Sequence, residues 1–121
     1  MEALNILNIA VNALNEKKGK DIAAIKIDDL TVIGEYFLIC TANSSTLLRA
    51  LSDEVEEKLK EEGVLPHHIE GRATGWIVLD YGSVIVHIFG RNEREFYALD
   101  KMWSDGTAVD LNEILNNPQE V

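Results

Sequence analysis

Several things are scarce in this chain of 121 residues, and each scarcity excludes something. There is a single cysteine, Cys40, so no intrachain disulfide can form, and a reducing compartment is expected. Cys40 ends the apolar run "YFLIC", where a buried, inert thiol is the natural reading rather than a nucleophile. Apolar runs are short: Tyr36 to Cys40 and Val84 to Val86 fall well below the ~20 residues that a bilayer span needs. Met1 leads into an amphipathic pattern without a cationic start or apolar core, which predicts no secretion and a cytoplasmic location. Basic residues are also few, eleven Lys and Arg against twenty-one Asp and Glu, for a formal charge of −10. Such a surface repels phosphate backbones, and the lysines make no stripe beyond Lys17, Lys18 and Lys20. Direct nucleic-acid binding is therefore disfavoured. A basic protein partner suits the charge, and so does plain solubility.

What is present reads as an ordinary globular domain, with 46% hydrophobic and 26% charged residues. No repeat or linker interrupts it, so residues 1–115 form one domain and 116–121 a frayed tail. Leu4, Leu7, Ala10, Val11 and Leu14 recur at helical spacing, with Gly19 as the stop. Strands follow at Ile22 to Ile27 and Glu35 to Thr41. Asn43-Ser44-Ser45 caps a second helix through Leu47, Leu48, Leu51, Val55 and Leu59, which Gly63 closes. Its outer face, "DEVEEKLKEE", is a solvated surface. A short strand near Ile69 precedes the hairpin "GWIVLDYGSVIVHIF". Phe96, Leu99 and Trp103 share a face of a third helix, and Val109, Leu111, Ile114 and Leu115 are apolar enough to dock. The order gives an α/β (α+β) fold, a mixed β-sheet flanked by helices.

The hairpin holds a tryptophan, an aspartate and a histidine that a purely structural hairpin does not require. With the turn centred on Tyr81-Gly82, Leu79 faces Val84 and Ile77 faces Val86 on an aliphatic side. Trp76 then faces His87, and Val78 faces Ile85, on the other side, which also carries Asp80. A bulge at Gly82 would shift this pairing by one residue. No serine or cysteine nucleophile accompanies His87 and Asp80, so a packing or interfacial role outweighs catalysis. His67-His68 point to opposite faces of an extended segment and make a poor metal pair. Asp28-Asp29 starts a turn more readily than it binds magnesium. No glycine loop for phosphate is present, and no cofactor is expected.

Taken together, "IEGRATGWIVLDYGSVIVHIF", "REFYALDKMW" and the earlier "DLTVIGEYFLICTANSSTLLRALSDEV" resemble the ribosome-silencing factor family, RsfS or Iojap. The resemblance spans roughly residues 4 to 105. It rests on Glu70-Gly71, Trp76, Asp80-Tyr81-Gly82, His87-Ile88-Phe89, Arg94, Tyr97, Leu99 and Trp103 in combination. Ser83, Thr46 and Gly106 depart from the family pattern. The resemblance implies a nucleotidyltransferase-like fold without catalytic residues. It further implies binding to large-subunit ribosomal protein fourteen, blocking of subunit association and repression of translation, with no enzymatic activity. The contact surface it implies includes Trp76, Asp80, Tyr81, Tyr97 and Trp103, and extends to Arg94 and Glu70. No membrane contact follows from it, and a homodimer is compatible with it. The competing reading is a nucleotidyltransferase-like enzyme or nucleotide-binding protein, which would need a Gly-Ser helix start and paired strand carboxylates.

Overall fold

The computed structural model describes residues 2–27, 34–71, 74–90 and 107–116. Helix α1, Ala3–Glu16, buries Ile6, Leu7, Ala10, Val11, Ala13 and Leu14 along one face, while Leu4 lies outside the seam. The helix ends one residue earlier than the glycine suggests. Lys18, not Gly19, takes the left-handed backbone (φ 64°). The Lys18 and Gly19 N–H groups then donate to the Asn15 and Leu14 carbonyls, the paired bonds of a Schellman end. Gly19 is needed for space, because a Cβ there would collide with Cys40 Sγ.

Strand β1, Lys20–Lys26, pairs antiparallel with β2, Tyr36–Ala42, after an irregularity between Lys20 and Ala23. Ser44 caps α2, Ser45–Glu61, by accepting the Leu47 N–H at 3.1 Å, as its side chain in the sequence suggests. At the other end, Gly63 and Val64 N–H groups donate to Lys60 and Leu59, a second Schellman closure. The remaining elements are β3 (His68–Glu70), β4 (Trp76–Asp80), β5 (Val84–Gly90), β6 (Thr107–Ala108) and α3 (Leu111–Asn116). The expected helix over Phe96, Leu99 and Trp103 lies outside the described residues. So do Asp28 and Asp29.

Among the described residues, six strands lie in the order β3-β4-β5-β2-β1-β6. Of these, β2 and β5 run parallel and the other neighbouring pairs antiparallel, so the sheet is mixed, as the element order predicts. A parallel pair requires a long crossover, and α2 with β3 and β4 supplies it. Because side chains alternate along each strand, the sheet has two distinct faces. Leu38, Cys40, Ile77, Leu79, Val84, Val86 and Ile88 join α1 and α2 in one core. Ile114 of α3 is buried there too, with Val109, Leu111 and Leu115 packed against it, so this stretch docks as its pattern predicts. The alternate residues Ile25, Ile27, Phe37, Ile39, Ile85 and Phe89 form a second cluster on the other face, with Trp76 and Val78 against it.

Candidate functional site: the Trp76 face of the sheet

The chain reaches Trp76 through a tight approach. Gly71 has φ +83°, and a Cβ on it would collide with the Trp76 carbonyl, so a side chain is excluded on both grounds. Thr74 Oγ1 lies 2.8 Å from the Gly71 carbonyl and accepts the Trp76 N–H at 3.2 Å, fixing the strand's entry.

The hairpin register differs from the one read off the sequence. Trp76 stands opposite Phe89, Val78 opposite His87, Leu79 opposite Val86 and Asp80 opposite Ile85. The loop is Gly82-Ser83, with the Tyr81 N–H donating to the Val84 carbonyl at 3.0 Å. Gly82 sits at φ +82°, the Ser83 N–H returns to Tyr81 O at 3.1 Å, and Asp80 Oδ1 accepts the Gly82 N–H at 2.8 Å. Neither the expected pairing nor its one-residue bulged alternative occurs. The true pairing is offset by two residues, which preserves the faces: Trp76, Val78 and Asp80 still share a side with Ile85, His87 and Phe89.

The same shift corrects Tyr81. As a turn residue it would be exposed; as the partner of Val84 it points toward the helices and is 5% exposed, within their core. Its hydroxyl has no hydrogen-bond partner among the described residues, and burial, aided by the Glu56 carboxylate, raises its pKa far above the usual value for tyrosine. Tyr81 is therefore not an accessible contact residue.

Strand β3 adds to the Trp76 face. His68 pairs with Asp80 and Glu70 with Val78, which puts His68 and Glu70 beside Asp80. His68 Nε2 lies 3.6 Å from Glu70 Oε1 and 3.7 Å from Asp80 Oδ2. His67 instead lies by the hairpin turn, where a Cβ on Gly82 would press on its imidazole. Toward the sheet centre the face is aromatic. Trp76 stacks on Phe89 with centroids 5.0 Å apart, and His87 lies 4.8 Å from Phe37. The Trp76 indole Nε1–H donates to His87 Nδ1 at 3.1 Å. Burial pushes His87 down to about 4, so its ring is neutral near pH 7.

The result is a graded strip. Phe37 and Phe89 are buried, Trp76, Val78 and Asp80 half-buried, and Glu70 and His68 exposed. An apolar centre with a charged rim is the anatomy of a protein-docking surface. Of the residues singled out from the sequence, the fold brings Trp76, Asp80 and Glu70 together on this strip. Arg94, Tyr97 and Trp103 lie outside the described residues. Sequence reading missed His68 as a member, because only the β3–β4 register reveals it. Elsewhere, a depression of about 260 Å³ lined by Asp53, Glu56, Glu57, Lys60, Leu65 and Pro66 borders the solvated face of α2. Among the described residues, no cluster of three His, Cys, Asp or Glu could hold a metal, and no helix is long and apolar enough to cross a membrane.

Comparison with known proteins adds an independent line. The family described as "Ribosomal silencing factor during starvation" (RsfS) matches residues 1–121. The chain is 32% identical to the ribosomal silencing factor RsfS of Halalkalibacterium halodurans, covering 96% of this chain and 100% of the relative. It shares its fold with a crystal structure of a Chromobacterium violaceum protein, at TM-score 0.83 and 33% identity over 86% of this chain and 88% of that one. A more distant relative, 28% identical over 81% of this chain and 45% of its own length, is the mouse "Mitochondrial assembly of ribosomal large subunit protein 1".

Proposed function

This chain belongs to the ribosomal silencing factor family, and from that premise we propose that it docks on large-subunit ribosomal protein fourteen through the Trp76 face and blocks subunit joining. Family membership makes it a ribosome-associated regulator of translation. The finer reading is supported by one observation above the rest: Trp76, Val78, Asp80 and Glu70 form a half-buried apolar strip with a carboxylate rim. A tryptophan at the centre of such a strip is the residue type that most often anchors an interface. The formal charge of −10 favours a basic ribosomal protein as partner and would speed the encounter. Tyr97, Trp103 and Arg94 belong to the same proposal, by the family resemblance alone. The proposed place of action is the cytoplasm, where subunits assemble.

A domain of this size is ~30 Å across, ample to fill the space that another subunit must occupy. Blocking by occupancy involves no bond making, so the protein acts without turnover and without consuming a nucleotide. The test is a titration of purified subunits with the chain, following joining by light scattering. Inhibition should grow in proportion to occupied large subunits, and Asp80→Ala should need more protein for the same effect. Full inhibition at a small fraction of one chain per large subunit would overturn the steric reading and favour an enzyme.

A further inference from the structure

His87 is 7% exposed and sits in β5 between Val78 of β4 and Ile39 of β2. Its Nδ1 accepts the Trp76 indole N–H, which requires the neutral ring with its proton on Nε2. Burial keeps the ring neutral at ordinary pH. The Nε2–H that this leaves is buried and has no acceptor among the described residues. A buried donor without a partner is a standing cost to the fold. A phenyl ring in the same place, with Phe37 4.8 Å away and Phe89 6.0 Å away, would carry no such cost. Packing alone therefore gives no reason for a histidine here. The bond to Trp76 does.

We infer that His87 is a positioning residue that holds the Trp76 indole in one orientation, ready for the ribosomal partner. The inference rests on the proposal that the Trp76 face is the docking surface. Stacking on Phe89, 5.0 Å away at 26°, restricts the plane of the indole but does not say which edge carries the N–H. Rotation about the bond to an aromatic ring is broad, and Nδ1 selects one of its settings. A side chain fixed before binding has less freedom to lose on binding.

The test uses the full chain and two variants, His87→Phe and His87→Asn, whose Oδ1 can stand where Nδ1 stood. Hydrogen exchange of the indole N–H is read by NMR, with the Trp76 signal assigned from its loss in Trp76→Phe. In His87→Phe that exchange should quicken at least tenfold while the denaturation midpoint holds or rises. Affinity for large subunits should fall roughly three- to tenfold, the cost of one freed side chain. His87→Asn should recover most of the protection and of the affinity. Unchanged indole exchange in His87→Phe overturns the inference, and so does a large stability loss, which would make His87 a core residue. Quickened exchange with undiminished affinity overturns it too, provided Trp76→Ala binds poorly. If Trp76→Ala binds as well as the wild type, the docking reading itself has failed.

Discussion

On the helix-covered face of the sheet, Leu38, Leu79, Val84, Val86 and Ile88 meet Leu7, Leu14, Leu51 and Leu59, all nearly without exposure. On the other face, Phe37 packs on His87, and His87 and Phe89 flank a tryptophan whose N–H is aimed at a ring nitrogen. The two faces use the same strands and alternate residues of the same β4, yet they obey different physics. Aliphatic packing is non-directional and stabilises in proportion to the area it hides. The aromatic face adds a directional bond between two side chains, then opens to solvent at β4 and β3. One face holds the protein together. The other is the face proposed to meet the ribosome.

The largest expected effect lies on the aliphatic side. Leu79 is fully buried, so Leu79→Ala should cost about 2–5 kcal/mol of stability. Urea denaturation measures this, and affinity per folded molecule should be untouched. A denaturation midpoint that hardly moved would break the contrast between the faces.

The aromatic face should show itself through pH. His87 falls from an ordinary 6.5 to about 4 in the folded chain, so the unfolded chain takes up the proton first. The contribution of the neutral ring is complete above pH 6.5. It is lost as pH falls from 6.5 to about 4, and below that this group changes nothing further. The shift corresponds to about 3 kcal/mol at most. Denaturation curves of wild type and His87→Phe across this window isolate it, since the carboxylates titrate in both. Equal slopes for the two proteins would mean that His87 is not held neutral by its burial.

These contrasts were only partly legible in the sequence. Alternation along "WIVLD" and "VIVHIF" assigns each residue to a face, and the faces are as expected. Register is another matter. Moving a hairpin loop by one residue, from Tyr81-Gly82 to Gly82-Ser83, shifts the pairing by two, and a two-residue shift leaves the hydrophobic pattern unchanged. The sequence therefore reveals the company Trp76 keeps but not its direct opposite. The same ambiguity hid the burial of Tyr81. At the end of α1, glycine is the usual left-handed residue, so Gly19 drew the stop that Lys18 provides. What constrains Gly19 is Cys40, which only the fold brings near. The caps at Ser44 and Gly63 were legible because their chemistry is local. The membership of His68 in the Trp76 face was not, because it depends on a pairing between strands.

The smallest energetic effect is the most direct test of the central claim, that the Trp76 face is what grips the large subunit. Wild type and Trp76→Ala, both first shown to be folded, are sedimented with purified large subunits and separately with small ones. The wild type should pellet with large subunits alone. Trp76→Ala should bind them weaker by about 2 kcal/mol, roughly thirtyfold. A folded Trp76→Ala that pellets with large subunits as fully as the wild type, over the same concentrations, would contradict the account.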